Sequence, residues 1–176
     1  MKNNKSIRIG IIGVGHLGNF HLKQLTTIKT ASIVGIFDID FERSEEISRE
    51  YNVPVFPNIE SLLNEIDAVS IVTPTRHHYE IADKALNNDC HVFIEKPITD
   101  NLSHADKLLK KAKEKDKIIQ VGHIERFNPA FMALDICQMK PRFIEAHRLA
   151  PFNIRGNDVP VVLDLMIHDI DIILSL

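Results

Sequence analysis

Three groups of residues have types and spacings that suit a chemical task, and the first is a glycine turn. Gly13, Gly15 and Gly18 form a G-x-G-x-x-G pattern between an apolar run and a helical pattern. In such a turn the first glycine permits a tight bend, the second lets the backbone approach a pyrophosphate, and the third lets the helix pack closely on a sheet. The phosphate charge then meets free N–H groups at the positive end of the helix. The pattern predicts a dinucleotide site, with His16 and Leu17 contacting the cofactor through their backbone.

An acidic residue follows this turn where a nicotinamide dinucleotide would need it. Asp38 ends the next apolar run, 20 residues after Gly18. A carboxylate here accepts hydrogen bonds from the ribose hydroxyls and repels a 2′-phosphate, so NAD is favoured over NADP. Asp40 is an alternative for this role, and the nearby Arg43 keeps NADP open. The competing interpretation is a structural turn in another kind of α/β protein.

The second group lies at the carboxyl ends of predicted strands, where ligands bind in an open parallel sheet. Thr73 and Pro74 follow one strand, and Glu95, Lys96 and Pro97 follow the next. The Lys96 ammonium stands where a cation could meet a substrate oxygen. The competing interpretation is an ordinary surface lysine paired with Glu95.

The third group is Asp164 and His168 on a predicted C-terminal helix. They are four residues apart and therefore share one helix face. Histidine titrates near neutral pH and can take the proton of a weakly acidic hydroxyl, while a nearby cation stabilises developing alkoxide charge. Asp171 lies on the same face, which equally fits a helix with its polar side in solvent. Adjacent His77 and His78 point apart on a helix and have no suitably spaced third ligand, so no metal site is predicted.

The elements that must position these residues alternate along the chain. Apolar runs predict strands at 7–12, 32–37, 53–56, 68–72, 91–94 and 118–121, and helical patterns predict helices at 17–28, 41–51, 59–64, 77–87 and 102–115. Such alternation indicates βαβ units, and the almost wholly apolar strands indicate a parallel sheet covered on both faces. Residues 1–122 are thus predicted to form a doubly wound Rossmann domain of the α/β class. A helix at 129–139, a strand at 142–149, a loop at 151–160 and a helix at 161–176 follow.

Composition limits the class of protein. The chain has 176 residues, of which 44% are hydrophobic and 26% charged, as is typical of a globular chain. A net charge of −3 gives no basic surface for nucleic acid. The apolar C-terminal helix is too short and too charged to span a membrane, and Cys90 and Cys137 suggest no disulfide framework. We therefore expect a cytoplasmic protein without nucleic-acid or membrane partners.

These motifs, in this order, resemble the glucose–fructose oxidoreductase, inositol dehydrogenase and rhizopine catabolism (Gfo/Idh/MocA) family. The resemblance rests on the glycine turn, on Thr73-Pro74 followed by His78, on Glu95-Lys96-Pro97 and on Asp164-x-x-x-His168, and it runs through the whole chain. Segments 122–129 and 148–171 are also similar to members that oxidise nucleotide sugars, UDP-N-acetylglucosamine 3-dehydrogenases among them.

The resemblance implies an activity and a role for each site residue. Members of the family move a hydride between a sugar carbon and the nicotinamide. By resemblance, Lys96 would hydrogen-bond the reacting hydroxyl, His168 would be the general base, and Asp164 would orient or polarise that pair. His78 would line the nicotinamide side, in a cofactor site that also includes Thr73, Pro74, Glu95 and Lys96. His123, Glu125 and Arg126 follow the strand predicted at 118–121, and they fit a lining of the sugar site or a polar loop equally. Arg155 in the later loop is a candidate contact for a substrate phosphate.

The expected departure from this family concerns the extent of the second domain. Family members continue into a large, mostly antiparallel sheet that shapes the substrate pocket and often forms the oligomer interface. Here residues 123–176 are expected to hold a linker, one strand and the catalytic helix, which is the truncated start of an α+β substrate domain. The apolar side of that helix predicts a partner, and a homo-oligomer is expected. Three functions stay open: an NAD-dependent dehydrogenase of a sugar or nucleotide-sugar substrate, a non-catalytic NAD-binding module, and a reductase of a non-sugar ring.

Overall fold

A computed structural model describes residues 6–135, 141–149 and 159–176. Within these ranges the strands are β1 (Ile7–Ile12), β2 (Ala31–Phe37), β3 (Ala68–Ile71), β4 (His91–Ile94) and β5 (Ile119–Val121). The intervening helices are α1 (His16–Leu25), α2 (Phe41–Tyr51), α3 (Ile59–Leu63), α4 (His78–Asn87) and α5 (Leu102–Glu114). The strands form one parallel sheet in the order β2-β1-β3-β4-β5. The predicted doubly wound α/β fold is confirmed, and the order reverses between β1 and β3, where such folds bind ligands.

Neighbouring residues of a strand point to opposite faces of the sheet, and each face is buried in its own apolar cluster. On β1, Ile11 packs into one cluster with Leu22 of α1 and Ile47 of α2. The next residue, Ile12, packs into a second cluster with residues of α3, α4 and α5, among them Leu108. Continuous apolar strands are therefore required, as the sequence showed.

The strand predicted at residues 53–56 is not an element of the sheet. Val55 forms only an isolated parallel bridge to Ile36. Ile36 donates its N–H to the Pro54 carbonyl, and Phe56 donates to the Ile36 carbonyl, both at 2.9 Å. Proline cannot donate to a ladder, so a four-residue run that contains Pro54 is confined to the edge of the sheet.

Among the described residues, the alternation of strands and helices ends after β5. A 3₁₀ turn (Ile124–Phe127) leads to α6 (Pro129–Asp135), and a π-helical turn (Val162–Met166) leads to α7 (Ile167–Ser175). The helix predicted at 161–176 is confirmed. The strand predicted at 142–149 is wrong, because these residues have no regular structure and no described strand lies beside them to share ladder hydrogen bonds. The rest of the helix predicted at 129–139 and most of the loop predicted at 151–160, with Cys137 and Arg155, lie outside the described residues.

Among the described residues, no helix is long and apolar enough to cross a membrane.

Candidate active site

The carboxyl ends of the parallel strands meet at one edge of the sheet, and a cleft of about 480 Å³ opens there. The cleft brings together most of the residues that the sequence singled out, since it is lined by Gly15, His16, Leu17, Thr73, Pro74, Glu95, Lys96 and Asp164. It is also lined by residues for which no role was predicted, namely Val72, Thr75, Arg76, Pro97 and Val159.

The three glycines of the turn are required for three different reasons. Gly13 has a φ of +90°, and a Cβ there would lie 2.5 Å from the Val72 carbonyl oxygen. A Cβ on Gly18 would overlap the Gly13 carbonyl, so this glycine lets α1 pack against the turn. A Cβ on Gly15 would meet nothing within 4 Å, so here the absent side chain leaves open space. No side chain caps α1 at Gly15, and the N–H groups of its first turn lack intrahelical acceptors. These features fit a dinucleotide pyrophosphate.

Asp38 lies directly beside this turn at the end of β2. Its Oδ2 accepts the Val14 N–H at 2.7 Å, and its Oδ1 accepts the Asp40 N–H at 3.0 Å. Each carboxylate oxygen has two acceptor positions, so Asp38 can still accept ribose hydroxyls. Asp40 has a different task, because its Oδ1 caps α2 by accepting the Arg43 N–H at 3.0 Å. Arg43 in turn donates its Nε–H to the Val14 carbonyl and pairs with Glu46.

Lys96 reaches across the cleft to the C-terminal segment. Its Nζ donates to the Asp164 carbonyl at 2.8 Å and to Asp164 Oδ1 at 2.9 Å. The partner of the Lys96 ammonium is therefore Asp164, 68 residues away, and not the adjacent Glu95. An ammonium has three donors, so one N–H of Lys96 is left for an oxygen of a ligand.

His168 lies on α7, close enough to Lys96 for the two to influence each other electrostatically. Burial lowers the pKa of His168 below its ordinary value of 6.5, and the positive charges of Lys96 and Arg148 lower it further, against a smaller opposing effect of Glu125. The ring is therefore neutral at neutral pH and can accept a proton. Its Nδ1 is buried and has no hydrogen-bond partner among the described residues.

Two arginines bind aspartates that follow His168 on α7. Arg148 donates to both oxygens of Asp169 at 2.8–3.2 Å. Arg126 makes a bidentate pair with the buried Asp171, at 2.6 Å from Nε and 2.5 Å from Nη2. These guanidinium hydrogen bonds lower the pKa of each aspartate. Arg126, for which the sequence left a sugar contact or a polar loop open, is paired with Asp171 of α7.

His78 lies behind the cleft and is only 1% exposed. Its Nε2 is 2.8 Å from the Thr73 carbonyl oxygen, and its Nδ1 is 2.9 Å from that of Pro97, which follows a cis peptide bond. The imidazole thus joins the turn after β3 to the turn after β4. The His78 side chain itself does not line the cleft. Thr73 Oγ1 is buried without a described partner.

The sequence missed the histidine that holds Glu95. His21 on α1 has Nε2 2.9 Å from Glu95 Oε1 and Nδ1 2.9 Å from Ser70 Oγ. A lone histidine within an amphipathic helix gives no signal of this role, because its partners lie far away in the chain.

Comparison with known proteins agrees with this geometry. A family model described as an oxidoreductase family with an NAD-binding Rossmann fold matches residues 7–123. UDP-N-acetylglucosamine 3-dehydrogenase of Acidithiobacillus ferrooxidans is 44% identical over 171 residues, which cover 97% of this chain and 54% of that protein. Inositol 2-dehydrogenase/D-chiro-inositol 3-dehydrogenase of Lacticaseibacillus casei is 34% identical, over 94% of this chain and 51% of its own length.

Solved structures give the same picture. The structure of the Acidithiobacillus ferrooxidans enzyme superposes with a TM-score of 0.91, over 97% of this chain and 56% of that one. Apo scyllo-inositol dehydrogenase from Lactobacillus casei superposes with a TM-score of 0.71 at 28% identity, over 76% of this chain and 41% of that one. The chain therefore spans about half the length of the relatives that it matches.

Proposed function

Because the chain belongs to the glucose–fructose oxidoreductase, inositol dehydrogenase and rhizopine catabolism family of NAD-binding Rossmann oxidoreductases, we propose that it oxidises a hydroxyl carbon of a sugar. The substrate that we favour is a nucleotide sugar, with C3 of UDP-N-acetylglucosamine as the reacting carbon. The support for this choice is the 44% identity to a UDP-N-acetylglucosamine 3-dehydrogenase.

One observation carries the proposal: Lys96 and Asp164, which come from two different parts of the chain, meet in the cleft beside the glycine turn. His168 lies four residues after Asp164, on the helix that this contact holds. A cation in the cleft, with a neutral histidine within electrostatic range of it, suits removal of a hydroxyl proton during hydride loss.

Each of these residues has a defined part in the mechanism. NAD, when bound, supplies the hydride acceptor. Lys96 donates its remaining N–H to the reacting hydroxyl and stabilises negative charge that develops on that oxygen. His168 accepts the hydroxyl proton, a role for which its lowered pKa keeps it unprotonated. Asp164 orients Lys96 through its carbonyl and carboxylate oxygens.

NAD is the cofactor that we favour over NADP. The N–H groups at the start of α1, with Gly13, Gly15 and Gly18, would hold the pyrophosphate. The Asp38 carboxylate supports this choice, since it would accept the ribose hydroxyls and repel a 2′-phosphate. Arg43 does not offset that repulsion freely, because it is engaged by the Val14 carbonyl and by Glu46.

We further divide the chain into a cofactor domain at residues 1–122 and the beginning of a substrate domain at residues 123–176. A cytoplasmic location and a homo-oligomeric assembly stay predictions. An NAD-binding module without catalysis is a second candidate, because the glycine turn and the Asp38 carboxylate suit cofactor binding independently of Lys96 and His168.

The test measures binding and turnover separately on this protein. Calorimetry gives the NAD affinity, and the absorbance of reduced NAD reports turnover with UDP-N-acetylglucosamine, inositol or glucose. We expect turnover with the nucleotide sugar, and we expect His168→Ala to lower kcat by about 10²–10⁴-fold without changing the NAD affinity. NAD binding with no turnover on any sugar would support the module, and undiminished turnover in His168→Ala would refute the role of His168.

A further inference from the structure

A chain of side-chain hydrogen bonds runs from α1 to the turn that carries Lys96. Ser70 Oγ on β3 is buried and lies 2.9 Å from His21 Nδ1. His21 Nε2 lies 2.9 Å from Glu95 Oε1, and the two side chains are largely shielded from solvent. We refer to these three residues as the Ser70–His21–Glu95 chain.

The donors and acceptors in this chain can be assigned from its chemistry. A carboxylate can only accept, so His21 Nε2 carries a hydrogen and donates it to Glu95. The Ser70 hydroxyl can then donate to Nδ1, which fixes this tautomer and the orientation of the ring. The His21 ring also makes an edge contact with Phe93 of β4, with ring centroids 5.4 Å apart. His21 is therefore fixed against both β3 and β4.

The other carboxylate oxygen of Glu95 extends these hydrogen bonds to the backbone of Lys96. Glu95 Oε2 accepts the Lys96 N–H at 3.3 Å. Gly122, which follows β5, leaves room for this carboxylate, because a Cβ at position 122 would lie 2.9 Å from Oε1 and 3.1 Å from Oε2. On the far side of Lys96, His78 holds the Pro97 carbonyl. The backbone of Lys96 is thus supported on both sides.

We propose that His21 is a positioning residue that couples the phosphate-binding helix α1 to Lys96 through Glu95. The inference rests on the proposed function, because it is the proposed reaction that requires Lys96 to be held in place. The N-terminus of α1 forms the pyrophosphate site and His21 lies on the same helix. This coupling would fix the position of the Lys96 ammonium relative to a cofactor bound at the N-terminus of α1. A misplacement of about 1 Å at a reacting group can cost about 100-fold in rate, so this support has a catalytic consequence.

The test compares His21→Phe with His91→Phe. Phenylalanine keeps the ring packing at position 21 but removes both hydrogen bonds. His91 is a matched control, because its Nδ1 accepts the Ile118 N–H at 3.1 Å at the opposite end of β4, away from the cleft. The readouts are amide hydrogen exchange at Lys96 by NMR, NAD affinity by calorimetry, and kcat separately from KM.

We expect His21→Phe to speed exchange of the Lys96 amide about 10- to 100-fold, as the loss of a charge-assisted support predicts. kcat should fall by about the same factor, while the KM and the affinity for NAD stay within about threefold. His91→Phe should change none of these values. His21→Gln, which keeps one donor for Glu95, should restore part of kcat, and Ser70→Ala should give a milder loss because only the tautomer is released.

Unchanged Lys96 exchange in a folded His21→Phe protein would overturn the proposal, as would an equal loss in His91→Phe. If His21→Phe does not fold, His21→Gln and Ser70→Ala decide the question by the same exchange measurement. Absence of turnover in the unaltered protein would count against the proposed function alone, since the exchange result at Lys96 needs no substrate.

Discussion

Replacement of Arg126 by methionine removes the guanidinium that holds Asp171 while keeping much of the aliphatic side chain. The Asp171 side chain is 10% exposed and that of Arg126 is 50% exposed. An exposed ion pair contributes about 0–1 kcal/mol, whereas stranding a buried charge costs about 3–5 kcal/mol. Half of Arg126 is in solvent, and His123 Nδ1 remains 3.7 Å from Asp171. We therefore expect an intermediate loss of about 2 kcal/mol for the docking of α7.

Since about 1.4 kcal/mol corresponds to a factor of ten, α7 should detach about 30-fold more often in Arg126→Met. Hydrogen exchange of residues 167–175 measures this opening directly. The control is Arg8→Met, which breaks the Arg8–Asp67 pair at the other end of the sheet, where the side chains are 45% and 38% exposed. That change should cost less than about 1 kcal/mol and leave exchange in α7 unaltered. Equal exchange of α7 in Arg126→Met and the unaltered protein would refute the idea that this pair fixes the helix.

The remaining predictions concern the cofactor and the base. Gly15→Ala should keep the melting temperature, because its Cβ meets open space, but should weaken NAD binding at least about tenfold by filling the path of the pyrophosphate. Asp38→Asn should weaken NAD binding about 10- to 100-fold in calorimetry, whereas Asp40→Asn keeps the cap of α2 and should change little; the reverse order would make Asp40 the ribose ligand. The pH profile of kcat/KM should show turnover at neutral pH that is lost as the pH falls through the lowered pKa of His168, below 6.5. An acid limb above that value would contradict a neutral, buried base.

Much of the fold was predictable from the alternation of apolar runs with helical patterns, because strands buried on both faces must be apolar throughout. The helix at 41–51 and the strands at 7–12 and 91–94 have the predicted bounds. The errors are at residues 53–56 and 142–149, where a strand-like pattern was present but the pairing was not. Strand formation depends on a neighbour that supplies hydrogen bonds, and a local pattern contains no information about that neighbour.

The residues of the site also fall into a predictable group and an unpredictable one. The glycine turn and the carboxylate of Asp38 were predictable, because their chemistry lies in short and fixed spacings. The supports of the site were not, since they join residues distant in sequence: His21 and Glu95 are separated by 74 positions, and Arg126 and Asp171 by 45. Each of these side chains taken alone is an unremarkable polar residue on a helix or turn. Their roles depend on which strand ends meet at one edge of the sheet.

Charge pairs, and not apolar packing alone, determine how the C-terminal helix faces the cleft. Large apolar side chains of this segment, such as Met166 and Leu174, are exposed, so burial leaves its rotation weakly defined. Lys96, Arg148 and Arg126 each engage a different aspartate of the segment, at Asp164, Asp169 and Asp171. The more exposed of these pairs add little net stability, but the two bidentate arginine pairs have a strict geometry. Three of them spread over eight residues leave essentially one rotation of the helix, and in that rotation His168 lies near Lys96. The acidic residues around the base therefore serve mainly to fix its direction, and breaking them one at a time should affect kcat more than the overall stability of the sheet.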